Sequence, residues 1–213
     1  MKKNIQELAW EGAHGDAYTK RNWKLLNRQT NQKKFYEMFK NLPLDYSVLE
    51  VGCNTASNLE VLQNMGFTNL TGIDINKGAI VECKKRFPKM KFELGTAIKL
   101  PFLSNSFDIV FTAGVLIHQC PNDGDKDKDS SLIIALKEII RTSKKIIIGL
   151  EDFDTSPKNQ GGSQYNNKYW SGPFADLYLK TDESLKLDQN YKVQGTEIGN
   201  SDNRLRHIFK IIK

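Results

Sequence analysis

Apolar residues along this chain follow two different periods. Short apolar runs at Tyr46–Val51, Leu70–Ile73, Lys91–Leu94, Phe107–Thr112 and Lys145–Leu150 predict strands. Between them lie segments with apolar positions three and four apart, which predict helices. Ala56–Met65 is stopped by Gly66, and Lys77–Phe87 ends before Pro88. A third helix carries Leu132, Ile133, Leu136 and Ile140, with Asp129 or Ser130 as its cap. Strands alternating with helices imply an α/β fold with a mostly parallel, twisted sheet covered on both faces.

The flanks read differently. Residues 1–43 predict a helical N-terminal cap. Asp16 is placed to N-cap a helix bearing Ala17, Trp23 and Leu26, and a second amphipathic piece carries Phe35, Met38, Phe39 and Leu42 before Pro43 ends it. Residues 152–172, rich in Asn, Gly, Ser, Lys and aromatics, predict one long loop. Phe174–Leu179 predicts a short helix. Lys192–Ile198 and Leu205–Ile212 predict an antiparallel C-terminal hairpin turning at Gly199-Asn200-Ser201-Asp202-Asn203. The expected organisation is a single domain over 1–213: cap 1–43, ligand-binding core 44–151, and acceptor loop with closing hairpin 152–213.

Composition narrows the function classes. The 213 residues suit one well-buried core. Lys+Arg at 31 against Asp+Glu at 25 gives a net charge of +6, but the basic residues are scattered. The nearest cluster is Lys84-Lys85-Arg86, and no arginine-rich arm or RNA-binding signature is present, so a nucleic-acid partner is not expected. Cys53, Cys83 and Cys120 form no CxxC pair, which predicts reduced thiols and a cytoplasmic location. The Met1-Lys2-Lys3-Asn4 start leads into no apolar signal core. No apolar run nears the ~20 residues of a membrane span.

The chemistry begins where the first strand ends, at Val48-Leu49-Glu50-Val51-Gly52-Cys53-Asn54-Thr55-Ala56-Ser57-Asn58. A strand, a tight turn and a helix start follow in succession. Gly52 lets a ligand approach the backbone where a side chain would collide. The second strand ends in Asp74, and neighbouring parallel strands present their C-terminal ends to one crevice. A carboxylate there can accept both hydroxyls of a ribose, which predicts a nucleoside-type cofactor. A dinucleotide is the fold-level competitor, but the turn lacks the second and third glycines of GxGxxG.

These residues resemble the class I S-adenosyl-L-methionine-dependent methyltransferases, a Rossmann-like fold. Glu50-Val51-Gly52-Cys53-Asn54-Thr55 is similar to that family's first motif, with Asn54 and Ala56 or Ser57 in place of its later glycines. Asp74 matches its ribose-binding acid. Gly95-Thr96-Ala97 stands where the family often has Gly-Asp-Ala against the adenine. Leu100-Pro101-Phe102 followed by Ser106-Phe107-Asp108-Ile109-Val110-Phe111 is the most specific match. The resemblance implies cofactor contacts from Glu50, Gly52, Cys53, Asn54, Asp74, Ile75, Thr96, Ala97, Ala113 and Val115, and no metal; Arg21 joins them by residue type, and Tyr18, one turn away on the same face, either closes over the cofactor or packs.

A narrower resemblance covers nearly the whole chain. Trp10-Glu11-Gly12-Ala13-His14-Gly15-Asp16-Ala17-Tyr18-Thr19-Lys20-Arg21-Asn22 looks like the N-terminal signature of the pseudaminic acid biosynthesis-associated methylases, with His14 replacing the usual phenylalanine. Thr112-Ala113-Gly114-Val115-Leu116-Ile117-His118 matches that family's fourth-strand motif, and Phe174-Ala175 echoes a later one after the departing pair Gly172-Pro173. The implied acceptor is a small molecule, such as a sugar or nucleotide-sugar intermediate of nonulosonic acid biosynthesis. Another small molecule, a protein acceptor, or a catalytically silent S-adenosylmethionine sensor are the alternatives.

Individual residues keep paired readings. The Arg21 guanidinium suits a methionine carboxylate, or a surface ion pair. His118 suits a general base for a hydroxyl or amine acceptor, or a cap on the turn before Pro121. Val115 and Leu116 are expected to pack on the cofactor, Cys53 to fill space beside it, and Cys120 to be a loop thiol. Tyr165, Tyr169 and Trp170 suit an acceptor's sugar ring, or pack their loop. Asp123, Asp125, Asp127 and Asp129 alternate as in a calcium loop, but Lys128 and Ile134 stand where that loop needs glycine and glutamate.

Overall fold

A computed structural model describes residues 5–23, 33–121, 130–162, 168–194 and 204–213. Its centre is a seven-stranded sheet. The strands are β1 (Ser47–Val51), β2 (Asn69–Asp74), β3 (Lys91–Leu94), β4 (Phe107–Ala113), β5 (Ser143–Asp152), β8 (Lys186–Gln194) and β9 (Leu205–Ile212). They lie in the order β3-β2-β1-β4-β5-β9-β8. The first five are parallel, while β9 runs antiparallel between β5 and β8. This is the Rossmann-like architecture with a closing C-terminal strand pair that the pattern predicts.

The central strands are buried on both faces, as a parallel sheet flanked by helices requires. One face packs Val48, Ile109, Phe111, Ile148 and Ile208 against Phe35, Met38 and Phe39 of the N-terminal segment, and against Leu59, Leu62 and Ile80 from α4 (Ser57–Asn64) and α5 (Lys77–Arg86). The other packs Leu49, Val110, Ile147 and Phe209 against Leu132, Leu136 and Ile139 of α6 (Ser131–Thr142), and against Phe174 and Tyr178 of α7 (Phe174–Thr181). Ser130 caps α6 by accepting from the Ile133 amide, and Asn76 caps α5 by accepting from the Ala79 amide.

Three expectations are corrected. Asp16 is not an N-cap: the cap segment forms α1 (Ile5–Glu11) and α2 (Ala13–Trp23), with Asp16 inside the first turn of α2. A further short helix, α3 (Lys33–Glu37), leads to the core. The stretch 152–172 is not one loop. It carries the antiparallel pair β6 (Lys158–Gly162) and β7 (Lys168–Ser171), whose short sequences, one polar and one with adjacent Tyr169 and Trp170, show no apolar alternation to betray them. Finally, β8 starts at Lys186 rather than Lys192, because an exposed edge strand needs few apolar positions. The hairpin turn 199–203, Leu26, Tyr165 and the aspartates 123–129 lie outside the described residues.

Candidate active site

Parallel pairing sets Val51 beside both Ile73 and Thr112, so β1, β2 and β4 end together. The turn after β1 is built by backbone geometry. Gly52 sits at φ +74°, and Asn54 and Ala56 are also left-handed. The amides of Gly52 and Cys53 donate to the Ile73 carbonyl at 2.7 and 3.0 Å. A Cβ on Gly52 would come within 2.4 Å of a Val115 methyl, so glycine is required by space as well as by φ.

Asp74 organises the neighbouring loops. One carboxylate oxygen accepts from the Asn54 amide and the other from the Asn76 amide, both at 2.8 Å. Burial raises its pKa, with these backbone donors working in the opposite direction. A carboxylate offers about four lone-pair sites, so one remains for a ligand hydroxyl beside the Asn54, Asn76 and Ile75 donors. Glu50 is more deeply buried. Its Oε1 accepts from Asn58 Nδ2 at 2.7 Å, Asn58 accepts in turn from the Tyr36 hydroxyl, and burial pushes the Glu50 pKa well up.

The cap closes over these strand ends. Asn76 Nδ2 donates to Asp16 at 2.8 Å, Asn54 Nδ2 donates to the Thr19 hydroxyl at 2.8 Å, and the Thr96 hydroxyl donates to Glu7 at 2.6 Å. Trp10 is the hub of an aromatic cluster. Its ring lies 4.8 Å from His14, 5.1 Å from Tyr18 and 4.6 Å from His118. Arg21 stacks over Tyr18 at 5.0 Å. Desolvation lowers the His14 pKa, with the Arg21 charge adding to it.

His118 ends a 3₁₀ turn, Leu116–His118, directly after β4. That turn is anchored from below by Glu151, which is fully buried and accepts from the amides of Val115 and Ile117 at 3.2 and 3.4 Å. Burial raises the Glu151 pKa to about 7. Beyond it, Asp152 accepts from Arg204 at 2.7 Å and pairs with Arg206 at 2.9 Å.

All of this surrounds one cavity of about 780 Å³, within the range of small-ligand sites. Its wall includes the residues expected to contact a cofactor apart from Leu116: Tyr18, Arg21, Glu50, Gly52, Cys53, Asn54, Asp74, Ile75, Thr96, Ala97, Ala113 and Val115. His118 and Tyr169 line it as well. Leu116 instead packs fully into the core, and Trp170 is half-buried outside the wall. Burial raises the Cys53 thiol pKa, which suits space-filling rather than reactivity.

Sequence reading missed Gln6, Glu7, Asp152, Arg204 and Arg206, which also line the cavity. Gln6 and Glu7 come from the first helix, Asp152 from the end of β5, and Arg204 and Arg206 from the residue before the last strand and from that strand, and only the tertiary fold brings them here. No group of three or more His, Cys, Asp or Glu among the described residues could hold a metal ion.

The lining fits the expected cofactor by a separate test. Glu50 Oε2, Asn54 Oδ1, Trp10 Nε1 and both polar atoms of the Gln6 amide are buried with no hydrogen-bond partner among the described residues. A zwitterionic nucleoside with amine, hydroxyl and ring-nitrogen groups can satisfy both kinds.

Comparisons with known proteins agree. Residues 48–133 match the protein family described as a methyltransferase domain. A segment of 66 residues is 39% identical to phthiotriol/phenolphthiotriol dimycocerosates methyltransferase of Mycobacterium tuberculosis strain H37Ra, and it spans 30% of this chain and 24% of that relative. In overall structure the chain is similar to 1,6-didemethyltoxoflavin-N1-methyltransferase of Burkholderia thailandensis, solved with bound 1,6-didemethyltoxoflavin and S-adenosylhomocysteine. The TM-score is 0.71 at 12% identity, covering 98% of this chain and 87% of that one. It is also similar in fold to magnesium protoporphyrin IX methyltransferase of Synechocystis PCC 6803 with bound S-adenosylmethionine. There the TM-score is 0.69 at 13% identity, covering 100% and 98% of the two chains.

The chain thus has the fold of S-adenosylmethionine-dependent methyltransferases around a matched methyltransferase domain. Fold, domain and cavity together support S-adenosylmethionine as its cofactor.

Proposed function

We propose that the protein transfers a methyl group from S-adenosylmethionine to a small-molecule acceptor. The observation that carries this reading is a single cavity in which Asp74 and Glu50 line the strand ends, while His118 lines it just beyond β4. The narrow resemblance of the N-terminal segment favours a sugar or nucleotide-sugar acceptor of nonulosonic acid biosynthesis. Trp10, His14, Tyr18 and Arg21 of that segment line the cavity, which supports a role for the segment in binding.

Asp74 would take the ribose hydroxyls, and Glu50 the methionine ammonium. The Arg21 guanidinium suits the methionine carboxylate. Thr96 stands where the resembled family has an aspartate, and its hydroxyl is already given to Glu7. Glu7 therefore supplies the carboxylate at the adenine end. Gly52 keeps the turn low, and Val115 packs across it.

When bound, the cofactor supplies an electrophilic methyl on a sulfonium, already a good leaving group. The protein's task is then to position the acceptor in line and to manage one proton. His118 is the group suited to accept that proton from a hydroxyl or ammonium. Its ring is held against Trp10, and its turn is fixed by Glu151 through two backbone amides.

A methyl-transfer screen over candidate sugars and nucleotide-sugars, read by a mass gain of one methylene unit, tests this reading. Calorimetry with S-adenosylhomocysteine and with NAD tests the cofactor half separately. Preferential NAD binding would defeat it.

A further inference from the structure

The first helix buries polar side chains and leaves apolar ones in water. Gln6 and Glu7 of α1 are 3% and 6% exposed, while Ile5 and Leu8 are 60% and 56% exposed. A helix packed on a hydrophobic core would be arranged the other way round. Glu7 has a place in the fold, since its carboxylate accepts from the Thr96 hydroxyl at 2.6 Å. The Gln6 carboxamide does not: its Nε2 and Oε1 are both buried, and neither has a hydrogen-bond partner among the described residues. Gln6 and Glu7 line the cavity, as do Gly95, Thr96 and Ala97 of the loop after β3.

From this arrangement we infer that the Gln6 carboxamide reads the adenine of the cofactor, accepting from its 6-amino group and donating to a neighbouring ring nitrogen. The inference rests on the S-adenosylmethionine reading and adds to it a residue that selects the base.

A buried donor or acceptor without a partner has lost its water and gained nothing in return. Buried polar groups are nearly always paired, so two unpaired ones on a single cavity-lining side chain mark a place that a ligand completes. The shape of the side chain identifies the ligand group. A carboxamide sets one acceptor and one donor side by side in a plane, and its match is a donor beside an acceptor. Within S-adenosylmethionine the carboxylate only accepts and the ammonium only donates. The ribose hydroxyls fall to Asp74 on the same reading. The adenine amine and the ring nitrogen beside it present the required pattern in one plane, which is the pattern glutamine uses when it pairs with adenine in nucleic acids. Position agrees with chemistry. Gln6 directly precedes Glu7, whose bond to Thr96 fixes this part of α1 at the end proposed for the adenine. The amine carries two hydrogens, one for Gln6 and one for Glu7.

The test uses the full chain and three ligands. They are S-adenosylhomocysteine, its analogue with hydrogen in place of the 6-amino group, and 5′-deoxy-5′-methylthioadenosine, which keeps base and ribose but has no amino-acid chain. Calorimetry on the wild-type protein should give S-adenosylhomocysteine an affinity about tenfold or more above that of the analogue. Gln6→Met keeps the length of the side chain and removes both polar atoms. It should weaken S-adenosylhomocysteine and methylthioadenosine by the same factor, about tenfold, and shrink the preference for the 6-amino group. The melting temperature of the free variant should hold or rise, because an unmatched buried amide has given way to an apolar group.

Equal wild-type affinity for S-adenosylhomocysteine and the analogue overturns the inference, as does full S-adenosylhomocysteine affinity in Gln6→Met. A loss confined to S-adenosylhomocysteine, with methylthioadenosine unaffected, also overturns it, because Gln6 would then serve the methionine end. A lower melting temperature of the free variant would assign Gln6 to the fold instead. Failure of the wild-type chain to bind S-adenosylhomocysteine at all defeats the cofactor reading, and this inference with it.

Discussion

The Thr96 hydroxyl donates to the Glu7 carboxylate at 2.6 Å, linking the loop after β3 to the first helix of the cap. Eighty-nine residues separate the two positions in sequence. The contact joins the cavity end proposed for the adenine to the cap. Thr96→Val should therefore loosen the cap and weaken S-adenosylhomocysteine binding by about 1 kcal/mol, the net worth of such a bond. Hydrogen exchange over residues 5–23 should rise in the same variant. Glu7→Gln should cost more than Thr96→Val, since it also removes the carboxylate proposed for the adenine amine. Calorimetry on both variants checks the order.

Asp74→Ala should lower cofactor affinity by about 1–3 kcal/mol, the usual loss when a charge-assisted hydrogen bond disappears. It also strands the Asn54 and Asn76 amides, so the melting temperature should fall as well. Asp74→Asn keeps an acceptor oxygen for one amide and should lose less stability. A folded Asp74→Ala protein with wild-type affinity would remove Asp74 from the ribose role.

His118→Gln should reduce turnover of a hydroxyl or amine acceptor by about 10²–10⁴-fold, with cofactor binding intact. The wild-type rate should also fall at low pH, as the imidazole takes up a proton and can no longer act as base. Full turnover by the glutamine variant would leave His118 as the residue that ends the 3₁₀ turn. It would favour an acceptor that needs no deprotonation, such as a carboxylate.

Glu151 gives the fold a pH dependence of definite sign. Its pKa rises from an ordinary 4.5 to about 7 in the folded protein, first because of burial. Between those values the native state holds a proton that the unfolded chain has lost. Stability is therefore greatest below about pH 4.5 as far as this residue is concerned, and falls as pH rises toward 7, by up to about 3 kcal/mol. His207 acts oppositely. Burial lowers its pKa from 6.5 to about 4, so its contribution is lost as pH falls through that interval. Subtracting the Glu151→Gln unfolding curve from the wild-type curve isolates the glutamate, because His207 is common to both. A difference that does not change between pH 4.5 and 7 would refute the assignment.

The part of the site that could be read from sequence is the part built from consecutive residues. The Gly52 turn and Asp74 each sit at the end of a strand whose neighbours announce it, and parallel pairing then forces the two together. His118 was legible for the same reason, one turn beyond β4. Glu7, Asp152, Arg204 and Arg206 carry no local signal. An arginine in an antiparallel strand is unremarkable until β9 inserts between β5 and β8 and turns it toward Asp152. The pair β6 and β7 escaped for a related reason. A ribbon that packs across the rim of a site rather than into a core has no need of alternating apolar residues.

The Trp10 ring meets both Tyr18 and His118, so one side chain borders the residues proposed for the cofactor and for the acceptor. The two chambers share a door. On the proposed reading, cofactor exchange would lift α1 and α2 from their bonds to Asn54, Asn76 and Thr96, and lifting them would withdraw Trp10 from His118 at the same moment. On that reading each opening would dismantle the reaction chamber as a whole, and a methylated product would not be held in place during reloading. Successive methylations of one acceptor should proceed by release and rebinding, with the frequency of that opening as the ceiling on turnover.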